Sequence, residues 1–233
     1  MYSGTRDIAR SLKISGAIGC LDGSQVVDVR DDQDLLSHPI VNAAMEPLLQ
    51  ALEEDPPVTF LFAEDAVLHD EHGEPFLAFV RLWTQRAVRL PAVLDRATFG
   101  EARAVSAVLA LGEEVQIRRA AERIQSGIGD HLQVGLFSSK KQESSLWGMV
   151  VRAAGITKAT ALRHIAEHYG VTLEETVAVG DWLNDVTMLE VAGRSFAMAQ
   201  APDEVKAAAD EVLTADVNRG GGIAEAAERA GLL

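Results

Sequence analysis

The 233 residues are 48% hydrophobic, and 21 Lys and Arg stand against 35 Asp and Glu for a net charge of -14. That length and apolar content suffice for a buried core in one large or two small domains, and the charge argues against a nucleic-acid backbone or an anionic membrane as partner. The lone cysteine, Cys20, excludes an internal disulfide; no leader-like N-terminus is present, and the longest apolar runs, such as Val105–Leu111, are too short to span a bilayer. The expectation is a cytoplasmic protein. A small phosphorylated ligand stays compatible with the negative total, because a bound divalent cation and one or two lysines reverse the local field.

In chain order, Arg6–Leu12 reads as a short amphipathic segment, followed by Ala17–Leu21 and a turn at Asp22 and Gly23, together like the tail of a βα unit. From Val26 to Trp147 the pattern is α+β: a helix over Pro39–Leu52, strands at Val58–Ala63 and Ala66–His69, a turn at Glu71–Gly73, a strand at Ala104–Leu111, a helix over Glu113–Gln125, and strands at His131–Phe137 and Leu146–Val151. From Lys158 onward, helices and short apolar strands alternate. Ala161, Leu162, Ile165, Ala166 and Tyr169 share a helix face, Thr176–Val179 is a strand, and Asp185–Ala192 a helix. Ser195–Ala199, Pro202–Ala209 and a helix after Gly220–Gly222 complete the pattern, which predicts a parallel sheet covered by helices. The fold class expected is α/β, with a discontinuous core of residues 1–25 and 148–233 and an inserted α+β domain at 26–147.

Chemistry concentrates in Val177–Leu189, V-A-V-G-D-W-L-N-D-V-T-M-L. An apolar strand runs through Gly180 into Asp181, at the carboxyl end of a strand, where open α/β sheets bind ligands. A carboxylate there suits Mg²⁺, which prefers oxygen donors. Asn184 can orient a substrate oxygen, and Asp185 can brace the loop or cap the next helix. On local pattern alone, turn and capping roles for all three are about as good a reading.

The segment resembles the fourth motif, G-D-x-x-N-D, of haloacid-dehalogenase-like phosphatases. Lys158, in K-A-T-A-L, resembles the motif-three lysine at the start of a core helix, and Ala197–Asp210, A-M-A-Q-A-P-D-E-V-K-A-A-A-D, is similar to a run of the Cof-type subfamily IIB, which carries a large C2 cap. Tyr2–Arg6 resembles motif two, commonly T-G-R, with Ser3 the best match for its hydroxyl and Thr5 the alternate. Ile18–Asp28 looks like the stretch leading into the cap, with Asp22 in place of the usual asparagine.

The resemblance implies a Rossmann-like core with a cap, and phosphoryl transfer to an aspartate followed by hydrolysis with Mg²⁺ as cofactor. By motif, Asp181 is then a metal ligand with Asp185 behind it in a second shell. Lys158 is a catalytic and substrate-binding cation, Ser3 a catalytic hydroxyl and Asn184 a substrate-binding residue. The substrate class implied is a small sugar phosphate, with Trp83, Trp147, His69 and His72 as candidate pocket residues, although lone aromatics and histidines are more often core or surface groups.

The family's first motif, D-x-D-G-T, which supplies the nucleophile, has no match in these residues. C-L-D-G-S at Cys20–Ser24 follows motif two instead of preceding it and is a chance likeness. In the family this motif's strand lies beside the motif-four strand, and its loss would leave unpaired backbone groups at about 1–3 kcal/mol each. A misassigned start at Met1, or a lost N-terminal piece, is therefore expected. The alternative is a catalytically inactive phosphate-binding relative; a generic nucleotide-binding domain is set aside because no G-x-G-x-x-G or G-x-x-x-x-G-K-[ST] loop is present.

Overall fold

The computed structural model describes residues 1–81, 83–99, 104–141, 144–216 and 220–233. Two compact units divide the chain, Met1–Ile156 and Thr157–Leu233.

The first unit opens with helix α1 (Tyr2–Ser11) and strands β1 (Ala17–Cys20), β2 (Gln25–Asp28) and β3 (Gln33–Ser37). These strands form an antiparallel sheet in the order β1-β2-β3, so the opening residues belong to a meander and not to the βα unit expected. Its first turn places Leu21, Asp22 and Gly23 at φ of 50°, 52° and 106°, and the buried Arg152 donates to the Leu21 carbonyl at 3.4 Å and to the Asp22 carboxylate. The usual asparagine could satisfy the turn; an aspartate also answers the buried cation.

Helix α2 (Asn42–Glu53), strands β4 (Val58–Ala63) and β5 (Ala66–His69), helix α3 (Leu77–Val80), strand β6 (Ala87–Arg89), helix α4 (Arg96–Phe99), strand β7 (Val105–Gly112), helix α5 (Glu114–Ile128) and strands β8 (Leu132–Lys141) and β9 (Ser144–Ala153) follow. They build a six-stranded mixed sheet, β6-β5-β4-β7-β9-β8. Side chains alternate across a strand. Leu61 and Ala63 of β4, with Val108 and Ala110 of β7, face the core capped by α2 and α5; Phe60, Phe62, Leu109 and Leu111 face the opposite cluster with Phe76, Phe79 and Trp83. The helices meet the sheet because Ala44, Met45, Leu48, Leu49 and Leu52 of α2 and Ile117, Ala120, Ala121 and Ile124 of α5 recur at helical spacing and are buried. Each fully buried Leu or Ile there contributes roughly 1.5–3 kcal/mol.

Both expected domain boundaries fall within strands: Gln25 begins β2, and the 147/148 junction lies inside β9, whose residues Gly148–Val151 pair with β7.

The second unit contains helix α6 (Lys158–Tyr169), strand β10 (Val177–Gly180), helix α7 (Val186–Leu189), strand β11 (Arg194–Ala197), helix α8 (Asp203–Ala208), strand β12 (Glu211–Val212) and helix α9 (Gly222–Arg229). Its strands form the predicted parallel sheet, β10-β11-β12. Ala178 and Ala197 pack with Leu189 and Val205 on one face, and Phe196 with Leu213 and Ala226 on the other. Of the shared helix face in α6, Ala161 and Ala166 are buried whereas Tyr169 is 46% exposed. The helix ends just after it, at Gly170 with φ 66°, where the Gly170 and Val171 N–H groups bond the Glu167 and Ala166 carbonyls at 3.0 Å each.

Candidate active site

The parallel register aligns Gly180, Ala197 and Val212, so the loops leaving these strands emerge at one edge of the sheet. Asp181 follows Gly180 directly and is exposed there. Trp182 comes next, 60% exposed, and a tight turn over Leu183–Asp185 carries an exposed Asn184 and a buried Asp185 before α7 begins.

Asp185 organises this loop. One carboxylate oxygen accepts the backbone N–H of Asp181 at 2.9 Å and of Trp182 at 3.0 Å, and the other accepts the Lys158 ammonium. Its side chain is turned back into the loop and makes no capping bond to α7, which decides between the two roles left open by the sequence. The approach is close enough to exclude a side chain at residue 180: a Cβ on Gly180 would lie 2.6 Å from the Asp185 Cβ.

Lys158 is the first residue of α6, where the helix macrodipole disfavours a cation. Asp185 compensates it, and a third of the Lys158 side chain remains exposed. The start of α6 is tied down by the Thr157 N–H, which donates to the Thr160 hydroxyl at 3.2 Å. Thus Lys158, Asp181 and Asp185 converge through one carboxylate, with Asn184 on the same turn.

Two further braces hold the second unit, one just before β12 and one just after it. Ser195 and Asp210 hold one another: the Ser195 N–H donates to the Asp210 carboxylate at 2.8 Å, and the Asp210 N–H to the Ser195 hydroxyl at 3.1 Å. Glu225 of α9 accepts the Thr214 and Ala215 N–H groups, at 2.9 and 2.8 Å, just after β12. Those bonds, led by the Thr214 N–H and reinforced by Arg229, hold the Glu225 carboxyl down at about 2. The sequence reading missed Glu225; its only signal is a carboxylate in the first turn of the last helix.

Ser3 belongs to the first unit, on α1. Its N–H donates to the Asp65 carboxylate at 3.0 Å, and its hydroxyl lies 3.2 Å from the Thr84 hydroxyl. Thr5, the alternate, donates to the Met1 carbonyl at 3.1 Å. Three of the four candidate pocket residues are in contact with neighbours of their own fold: His69 is 4% exposed and packs on Phe60, Trp83 packs on Phe79 with centroids 4.9 Å apart, and Trp147 lies beneath Arg118. His72 is an exposed group near Asp70.

Asp181 and Asp185 are the carboxylates of the loop, and among the described residues no group of three or more His, Cys, Asp or Glu is arranged as a metal cage. Asp185 is committed to Lys158 and two N–H groups. Asp181 offers one hard oxygen donor, which fits the way Mg²⁺ binds through one or two carboxylates, substrate phosphate and water. No helix among the described residues is long and apolar enough to cross a membrane.

A family model for haloacid dehalogenase-like hydrolases matches residues 1–226. A 5-amino-6-(5-phospho-D-ribitylamino)uracil phosphatase of Bacillus subtilis is 43% identical over 83 residues, covering 36% of this chain and 32% of the relative. A phosphoglycolate phosphatase of Natronomonas pharaonis is 42% identical over 80 residues, 34% of either chain. These matches span about a third of the curated relatives' length. Among solved structures, a haloacid dehalogenase-like hydrolase from Bacteroides thetaiotaomicron has a TM-score of 0.78 at 22% identity, covering 99% of this chain and 83% of its own. A subclass IIB sugar phosphatase has a TM-score of 0.71 at 20% identity, covering 97% and 80%. Likeness at that identity establishes the fold, a Rossmann-like core with a cap.

Proposed function

The chain belongs to the haloacid dehalogenase-like hydrolase family, and from that premise we propose that it serves as a Mg²⁺-dependent phosphomonoesterase acting on a small phosphorylated metabolite of the sugar-phosphate class, in the cytoplasm. The observation that carries this reading is the Asp185 carboxylate, which joins Lys158 to the loop bearing Asp181. Such a brace preorganises a cation and a carboxylate at a strand end, and fixed charges are what phosphoryl transfer needs. The relatives named as phosphatases point the same way.

In this reading Lys158 binds a phosphoryl oxygen and offsets the charge that grows on it, while Asp185 keeps the ammonium from swinging into solvent. Asp181 would hold Mg²⁺, which when bound neutralises phosphate charge. Asn184 orients a substrate oxygen, and Ser3 donates its hydroxyl to the phosphoryl group. The division into a core of residues 1–25 and 148–233 with a cap at 26–147 is carried as part of the same proposal. By family resemblance the phosphoryl group passes to an aspartate and then to water; the D-x-D-G-T that would supply this aspartate has no match in these residues.

The test is hydrolysis of p-nitrophenyl phosphate with and without Mg²⁺, by this chain and by a form extended to the next upstream in-frame start. Mg²⁺-dependent turnover in either form, lowered about 100-fold or more by Lys158→Ala and abolished by Asp181→Ala, is the expected result. Inactivity in both forms, or full activity of Asp181→Ala, overturns it.

A further inference from the structure

The six-stranded sheet of the first unit ends differently on its two sides. At one edge β6 has three residues, lies between Arg86 and Pro91 and ends on Arg89, and a short, charged strand bounded by proline resists further pairing. At the other edge β8 has ten residues with no proline and no bulge: one register runs unbroken from Leu132 opposite Ala153 to Lys141 opposite Ser144. Among the described residues β9 is the one strand that pairs with β8.

The hydrogen-bond phase of this edge follows from its inner partner. The Ala154 N–H donates to the His131 carbonyl at 2.9 Å, and residues 131 and 154 continue the β8–β9 register. Antiparallel strands exchange bonds at every second residue, so Gln133, Gly135 and Phe137 bond to β9 whereas Val134, Leu136 and Ser138 turn their N–H and C=O groups outward. Side chains alternate with the same period. Val134 packs on the core that α2 and α5 cap, and Leu136, on the same face, is 42% exposed.

We propose that this edge is a self-recognition surface, on which β8 pairs antiparallel with β8 of a second copy of the chain about a twofold axis at Gly135. Outward-bonding residues must meet outward-bonding residues, and an axis at residue 135 sets Val134 opposite Leu136 of the second copy and Leu132 opposite Ser138. The exposed Leu136 is then covered by an apolar neighbour. Gly135 leaves the axis free of side chains, where opposed residues of a non-hydrogen-bonded pair come closest, about 4.5 Å between Cα atoms. The sequence also puts an exposed Asp130 just before β8 and Lys140 and Lys141 at its end, so antiparallel pairing lays the acidic end of each strand along the basic end of the other. Bond phase, apolar pair and charge each complement themselves in this one arrangement, and that selects a second copy as the occupant. A single strand pair covers less than the roughly 1,200–2,000 Å² of a stable interface, so the association is reversible. The proposal goes beyond the phosphatase reading and does not depend on it.

Sedimentation equilibrium of the full chain tests it, with a monomer–dimer equilibrium in the micromolar range as the expected result. Leu136→Lys sets a charge against Val134 of the second copy, and Leu136→Pro deletes an outward N–H while leaving the bonds to β9 in place. Each variant, with its circular dichroism unchanged, weakens the dimer about tenfold, or about 1.4 kcal/mol; should the proline unfold the sheet, the lysine at the same exposed position carries the test. Hydrogen exchange gives a reading free of any substitution: as the native chain is concentrated, the Val134, Leu136 and Ser138 amides gain protection while those of Gln133 and Gly135 stay protected throughout. A monomer at every concentration overturns the proposal and leaves the edge to a strand of a different chain. A dimer that both variants retain, or outward amides that exchange alike in monomer and dimer, overturns it by moving the contact to another surface.

Discussion

The two sheets of this molecule are held by different means. In the first unit, β4 and β7 run side by side with both faces buried, and Phe60, Leu61 and Leu109 have no exposed surface. In the second, the strands are two to four residues long, Ala178 and Ala197 supply much of one face, and buried charge and short polar braces fix the loops. Apolar area holds the larger sheet, whereas the smaller one depends on placed hydrogen bonds. The difference places the proposed chemistry where geometry is set by directional contacts, which tolerate less displacement than an oily core.

That contrast can be broken, and the strongest attempt is in the larger sheet. Phe60→Ala removes a fully buried ring and destabilises the first unit by about 4 kcal/mol. Hydrogen exchange should accelerate over 105–112 while residues 177–180 keep their protection; equal loss in both segments would mean that the units do not differ as described.

Next in size, Asp185→Ala leaves two N–H groups and Lys158 without their acceptor and costs the second unit about 3 kcal/mol. Exchange at the Asp181 and Trp182 amides reads it directly, and unchanged protection there would refute the brace. A smaller effect, about 2 kcal/mol, is expected for Gly180→Ala, whose new Cβ pushes on Asp185. Its signature is displacement of the Lys158 side-chain resonances, and their immobility would show that the loop gives way instead.

The smallest effect is a pH dependence. The folded Glu225 carboxyl titrates near 2 against 4.5 unperturbed, so its stabilisation is fully present above about pH 4.5 and is lost as pH falls toward 2. Urea midpoints of the native chain and Glu225→Gln should differ at neutral pH and converge at acid pH. A gap that persists undiminished at pH 2 would assign the contribution to shape and not to charge.

Where the structure matches the sequence reading, local chemistry explains why. Val58–Ala63 and Ala66–His69 are β-branched or apolar runs broken by two acidic residues, and β4 and β5 have those bounds. Glu64 and Asp65 close the hairpin at φ of 50° and 56°, a turn more often left to glycine and asparagine. Nothing local announces that β7 pairs with β4 across the sheet while β6 lies beyond β5, since such neighbours depend on contacts distant in the chain. The same limit hid the partnership of Asp22 with Arg152, 130 residues apart. At the loop, the position of Asp181 at a strand end is legible from the apolar run that closes at Gly180, whereas Lys158 at a helix start stands out only through the family resemblance. The direction in which Asp185 turns was not, because a brace and a cap use the same residue.

A Cβ at residue 180 would fall where the Asp185 side chain already lies, and that bears on how the sequence can drift. A side chain at 180 requires a smaller one at 185, yet aspartate is already the smallest residue that carries a carboxylate. A side chain at 180 is crowded as long as Asp185 stays, and an exchange at 185 gives up the acceptor for Lys158 and two N–H groups, so the two positions constrain one another. Trp182, which stands on the same loop with its side chain 60% exposed, is left free to diverge around that fixed pair.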